Sequence, residues 1–333
     1  MKWKTIPLLL FTSAVPLCAN ETLETEYRTN GSLMHGLVTR AQQSLQEFSA
    51  VIYDGRKEAG YGIVVSDDGS VVAKWSELKS IKDLKVRIGD KMYESVKLVK
   101  GDANWDVCLL KLEASGLKTV VFAENSRLEQ GTWVIANGAT SRSERRPLIG
   151  IISAPAREIP AEGGAVLGVE IIEEKNTIVA GNVPEVSGAY QAGIRTKDQI
   201  VMLNDKPMKK REDLVDFMKG RKVGEKIEVT YKRDGKTNKV VVELQGRADT
   251  FGREMTRNDQ MSGDVSQRRS GFPRVLQHDV QGTSKTVGGP LVDLDGKCVG
   301  MNIARANRAE SFAIPVEELR EISQRLMDQV RAK

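Results

Sequence analysis

The chain has 333 residues, 40% hydrophobic and 29% charged, a composition typical of a globular protein long enough for about two or three domains. Its net charge of +5 is small for that length and its aromatic share is 5%, so neither a basic stripe nor a stacking platform for nucleic acid is present. Two histidines and three cysteines, with no CxxC or HxxxH spacing, point away from a metal centre, and nothing calls for a cofactor.

Lys2 and Lys4 precede an apolar run, Ile6 to Leu17, that is too short to span a bilayer. Residues 1–19 read as an export signal with cleavage after Ala19, so the mature chain is expected in the periplasm or outside the cell. Acylation of Cys18 would anchor it to lipid, but the bulky Leu17 disfavours that. No later stretch reaches the about 18 apolar residues that a spanning helix needs. Cys108 and Cys298 then remain, each in an apolar strand-like run; buried free thiols are favoured, and a single disulfide stays open. Asn20-Glu21-Thr22 and Asn30-Gly31-Ser32 fit the glycosylation pattern.

Within the N-terminal segment 20–49, Leu33, Leu37, Ala41, Leu45 and Phe48 recur at helical spacing. From Ala50 the chain turns to short β-rich runs, including a hairpin over Tyr61 to Ala73 around Asp68-Gly69. This series predicts one β-barrel over 50–126 and the first part of a second over 127–160. Residues 161–247 mix strands with helices at Gly188 to Ala192 and Arg211 to Lys219, the pattern of a separate α+β domain. Ala248 to Gly271 is polar and without periodicity, and reads as a mobile linker. Strands resume over 272–315, and Val316, Leu319, Ile322, Leu326 and Val330 mark a closing helix. A domain inserted into the second barrel accounts for this order.

Thr286-Val287-Gly288-Gly289-Pro290-Leu291-Val292 resembles the Gly-Asn-Ser-Gly-Gly-Pro nucleophile loop of HtrA-type serine proteases. Gln277-His278-Asp279, Ser311-Phe312-Ala313-Ile314-Pro315, Gly60-Tyr61-Gly62 and Asp106-Val107-Cys108-Leu109-Leu110 are similar to further motifs of that family, in family order. Val166-Leu167-Gly168-Val169, Ser187 to Ile194 and Asn204-Asp205-Lys206-Pro207-Met208 resemble its PDZ domain. The resemblance implies a mostly β fold: a trypsin-like double β-barrel with an inserted α+β PDZ domain and a C-terminal helix. It also implies oligomers, as relatives assemble through an N-terminal region.

Carried over position by position, the catalytic histidine falls on Ser76, the aspartate on Asp106 and the serine on Val287. Valine has no nucleophilic atom and serine is no useful base, so no intact triad is expected and Asp106 is left with nothing to orient. Lys285 stands where the oxyanion loop wants glycine, and its Cβ makes an unusual φ costly. His278 replaces a threonine and reads as a packing or surface residue. A Ser–Lys dyad using Ser76 or Ser284 with Lys74 or Lys285 lacks a spacing signature.

In the PDZ-like unit the expected mechanism is strand addition. Loop residues Val166, Leu167, Gly168 and Val169 would hold a carboxylate end, and Ile171, Leu214, Phe217 and Met218 would line the groove. The expectation is a proteolytically inactive, peptide-binding HtrA-like adaptor, scaffold or chaperone-like protein taking extended or C-terminal segments. The alternatives are an active endopeptidase with a variant or misaligned site, and a PDZ unit that is only a spacer.

Overall fold

The computed structural model describes residues 24–27, 31–140, 145–174, 176–252 and 257–331. The expected export signal, Cys18 and the Asn20 sequon lie outside these, as do Asn30 and the side chain of His35. Two compact units are present, 1–37 and 38–333. In the first, the described residues form a 3-10 turn, Thr25–Tyr27, and the opening of helix α1 (Ser32–Phe48). The second holds both β-rich portions and the unit between them.

The α1 stripe resolves into a buried end, with Ala41, Leu45 and Phe48 sealed in the core. Next come β1 (Ser49–Asp54), β2 (Lys57–Ser66), β3 (Ser70–Lys74), the one-turn helix α2 (Trp75–Leu78), β4 (Leu84–Ile88), β5 (Lys91–Tyr93), β6 (Val96–Asp102) and β7 (Val107–Leu112). They form a seven-stranded antiparallel sheet in the order β5-β4-β1-β2-β3-β7-β6. The β2–β3 hairpin turns at Gly69, at φ +89°, where Asp68 accepts bonds from the Ser70 amide and hydroxyl. Central β3 is buried along its whole length, including Lys74.

After β8 (Trp133–Thr140) and β9 (Arg145–Ile159), the chain enters an α+β unit of β10 (Ala165–Val166), β11 (Ile171–Glu174), β12 (Thr177–Ala180), α3 (Gly188–Gln191), β13 (Gln199–Leu203), β14 (Lys206–Pro207), α4 (Arg211–Met218), β15 (Lys226–Arg233), β16 (Lys236–Glu243) and β17 (Gln245–Gly246). The strand expected over Val166 to Ile172 is broken in two, because Gly168 takes φ +84°. The sheet runs β11-β12-β13-β15-β16, which leaves β11 an edge strand. β10 pairs with β17, Ala165 opposite Gly246, and zips the entry of the unit to its exit.

The stretch 248–271 differs from the expected mobile linker. It holds most of α5 (Arg247–Phe251) and all of α6 (Arg257–Met261), and Ser262, Ser266, Arg268 and Arg269 are buried. Arg269 pairs with Asp259 and donates to Ala306 O, so its polarity serves fixed bonds and not solvation. β18 (Phe272–His278), β19 (Pro290–Val292), β20 (Cys298–Arg305) and β21 (Ser311–Pro315) then join β8 and β9 in a closed barrel, β18-β21-β20-β19-β8-β9. Strands from before and after the inserted unit thus share one barrel. Helix α7 (Val316–Arg331) comes last, and its Leu319, Ile322 and Leu326 pack in one cluster with Ala41, Leu45 and Phe48. Both thiols are free and buried: Cys108 sits among the β1–β7 side chains and Cys298 in the α1–α7 cluster. Burial pushes the Cys108 thiol well up and the Cys298 thiol to about 12, so neither is a nucleophile.

Candidate functional site

Ser76 and Asp106 meet directly. Asp106 precedes β7 in a left-handed conformation, φ 58°, and its carboxylate turns onto the first turn of α2. One oxygen accepts the Ser76 amide at 2.7 Å; the other accepts the Ser76 hydroxyl at 2.8 Å. That second oxygen also takes the Lys74 ammonium at 2.6 Å, inside a side-chain shell only 2% and 4% exposed. Lys74 donates a further bond to Arg268 O at 3.0 Å. Burial raises the Asp106 carboxyl, but the Lys74 and Arg268 charges and the bonds from Lys74 and Ser76 outweigh it and hold the group below the usual carboxylate range. Asp106 therefore has partners the sequence did not offer it: it caps a helix turn and closes an ion pair.

Val287 lies on the loop before β19, 2% exposed, with its carbonyl accepting the Tyr61 amide at 3.0 Å. The next residue, Gly288 (φ +90°), passes so close to β2 and β3 that a Cβ would come within 3.4 Å of the Lys74 amide. The loop is therefore seated against Lys74, the residue that also holds Asp106. Just upstream, the Lys285 amide donates to Thr283 Oγ1 at 3.2 Å and Thr286 Oγ1 bonds Thr283 O, so the backbone curls on itself. An amide spent inside its own turn does not point at an oxyanion. The Ser284 hydroxyl donates to the Asp264 carboxylate at 2.8 Å, and no histidine or lysine bonds it among the described residues. His278, fully buried in β18, has neither ring nitrogen hydrogen-bonded among the described residues; burial lowers it to about 4, with Asp279 and Asn302 acting in the opposite sense. It packs inside the barrel as a neutral ring.

A concavity of about 960 Å³ lies between the edge strand β11 and helix α4. Val166, Leu167, Val169, Ile171, Leu214 and Met218 line it; Gly168 and Phe217 do not. A Cβ on Gly168 would lie 2.5 Å from Ser187 Cβ, so this glycine faces inward and its role is the turn itself. Phe217, 5% exposed, belongs to the core of the unit, with the Arg221 guanidinium over its ring.

The PDZ domain family profile matches residues 165–244, which are the strands and helices around this groove. A DegP-like periplasmic serine endoprotease of Ectopseudomonas mendocina (strain ymp) is 24% identical in an alignment covering 59% of this chain and 58% of that protein. DegP-like periplasmic serine endoproteases of Pseudomonas fulva (strain 12-X) and Marinomonas sp. (strain MWYL1) are 33% and 32% identical over 31% and 32% of this chain, and 22% and 23% of theirs. Residues 165–244 form a PDZ domain, and over these alignments the chain is similar to HtrA/Do-type, DegP-like proteins. It spans 58% of the first of these relatives and 22% and 23% of the other two.

In this HtrA-like chain the PDZ unit also touches the first sheet. Gly224, at φ +83°, leaves room for only 3.0 Å between a Cβ and Asn104 Cβ, two residues before Asp106. Arg268 clamps the same loop, bonding Ala103 O, Asn104 O, Ser270 O and Gly271 O. A cavity of about 240 Å³ opens there, lined by Ser76 and Asp106 and by Val223, Leu244 and Asp249. Sequence reading missed both Arg268 and the part played by Lys74. A lysine two residues before the histidine position was visible, but nothing local says that it turns inward.

Proposed function

We propose that this HtrA-like chain is an exported, periplasmic peptide-binding protein that does not hydrolyse peptides. The observation that carries the reading is the Lys74–Asp106–Ser76 cluster beside a valine at the nucleophile position. Acyl transfer needs a nucleophile, a base to take its proton and donors for the oxyanion. Here the carboxylate is occupied by the buried Lys74, whose side-chain nitrogen donates both to it and to Arg268 O. The Lys285 amide is spent within its loop. Export is supported by the basic and apolar start of the chain and by relatives named as periplasmic. Among the described residues no helix is long and apolar enough to cross a membrane.

Binding is assigned to the PDZ groove. β11 presents an unpaired edge, and Leu214, Val215 and Met218 of α4 face it across the groove. An extended segment can add as a further strand, with alternate side chains entering the apolar floor. Its biological use would be as an adaptor or scaffold that holds extended or unfolded segments. The test is to incubate the purified mature chain with a peptide library and with fluorogenic casein. Saturable peptide binding without casein turnover, abolished by Leu214→Glu, supports the reading. Turnover above a heat-inactivated control refutes it.

A further inference from the structure

A nucleophile and its base flank the bond they cleave, so a peptide reaching these positions must pass between the Val287 loop and Ser76. The stretch 262–271 of the chain itself lies across that path. On the loop side, Asp264 accepts the Ser284 hydroxyl at 2.8 Å. There too the Arg305 guanidinium of β20 joins Ser262 O, at 3.1 Å, to Gly282 O. On the other side, Gln267 and Arg268 wall the cavity beside Ser76 and Asp106. The middle of the stretch is held by its main chain. The Ser266 amide donates to Arg305 O at 3.0 Å, the Gln267 amide to the Glu77 carboxylate at 2.9 Å, and Arg268 O accepts the Lys74 ammonium at 3.0 Å. The Arg305 amide returns a bond to Ser266 Oγ at 3.0 Å, in the manner of a strand pair. Lys74 and Glu77 flank Ser76 in the first sheet and α2, while Arg305 belongs to the closed barrel, so both portions share the grip.

Main-chain bonds to successive residues are how proteins hold extended segments of varied sequence. We propose that 262–271 is a built-in occupant of this cleft: the chain binds its own segment as it would an extended peptide, and so closes the face carrying Ser76, Asp106 and Val287 to other polypeptides. Side-chain bonds fix the register of the occupant, with Arg268 on Ala103 O and Asn104 O and Arg269 on Ala306 O. The space left beside it, about 240 Å³, is smaller than the about 300 Å³ at which ligand clefts begin. Covalent attachment gives the segment an effective concentration on the order of millimolar, so a free peptide at micromolar concentration does not displace it. Extended partners are then left with the PDZ groove. The inference stands apart from the groove reading, since the cleft is filled in the same way whether or not the groove takes peptides.

The experiment uses the full mature chain carrying Leu214→Glu, so that the groove takes no part, and a fluorescein-labelled, C-terminally amidated peptide with the sequence of residues 261–272. The probe is titrated by fluorescence polarisation against this chain and against the same chain with Ser266→Pro and Arg268→Gly added. These two changes remove the amide and hydroxyl bonded to Arg305 and the side chain bonded to Ala103 and Asn104. Circular dichroism checks the fold of each. With its own segment released, the chain should bind the probe about tenfold or more tighter than with the segment in place. No gain in affinity overturns the inference. If the released chain does not fold, hydrogen exchange in the native chain decides. The Ser266 and Gln267 amides should then exchange far more slowly than in the free probe peptide, and exchange at the free-peptide rate overturns the inference.

Discussion

Replacing Asp106 by alanine tests whether the retained aspartate is structural. The substitution removes the acceptor of the Lys74 ammonium at 2.6 Å and of the Ser76 amide and hydroxyl at 2.7 and 2.8 Å. What remains is a lysine whose side chain is 2% exposed, holding a single carbonyl bond to Arg268. Breaking one side of a buried ion pair costs about 3–5 kcal/mol, because the surviving charge is left uncompensated. Removing both charges with Lys74→Met/Asp106→Leu should cost much less than Asp106→Ala alone, since no charge is stranded. Urea unfolding monitored by tryptophan fluorescence reads this, because Trp75 begins α2 and Trp105 adjoins the aspartate. The sign with pH is also fixed. The folded Asp106 carboxyl lies below its unfolded value near 3.9, so its contribution is complete above about pH 4 and is lost as pH falls further. A loss below about 1 kcal/mol for Asp106→Ala, or a double variant worse than the single one, would refute the assignment.

The same geometry sets further expectations. His278 is lowered to about 4 from 6.5, so the unfolded chain takes up its proton first as pH falls. At about 1.4 kcal/mol per unit, stability should decline by about 3 kcal/mol between pH 6.5 and 4. Thermal melts of His278→Leu should show that slope flattened; an unchanged slope would assign it elsewhere. Arg268→Met strips the loop 103–106 and the stretch 262–271 of their shared clamp, and hydrogen exchange should quicken in both, with the β1–β2 pairing unaffected. Gly168→Ala forces a Cβ into Ser187 at a positive φ and should destabilise the PDZ unit by about 1–2 kcal/mol, read from its melting transition. Peptide affinity should fall with it, which makes Leu214→Glu the cleaner probe of the groove.

The strands, the inserted unit and the closing helix are readable because period and turn chemistry are local. Asp68-Gly69 marks the β2–β3 hairpin, and Leu319, Ile322 and Leu326 mark the buried face of α7. The site is only half readable. Motif order places Ser76, Asp106 and Val287, but the partner of Asp106 is Lys74, 32 residues away, and the clamp is Arg268, 165 residues from Ala103. Charged residues in a polar stretch read as a solvated linker until long-range partners bury them. Gly168 and Phe217 carry the right residue types for a groove; which way each faces is settled by Ser187 and by the core of the unit. Arg247 and Phe251 stand at the edge of the stretch that reads as linker, and they form a wall of the groove.

On the proposed reading, an HtrA-like frame binds peptides without serine-protease chemistry. Treating the mature chain with a fluorophosphonate probe and measuring its intact mass tests that claim most directly. An unmodified mass under conditions that label a control serine protease is the predicted result. A stoichiometric adduct mapping to Ser76 or Ser284 would contradict the account.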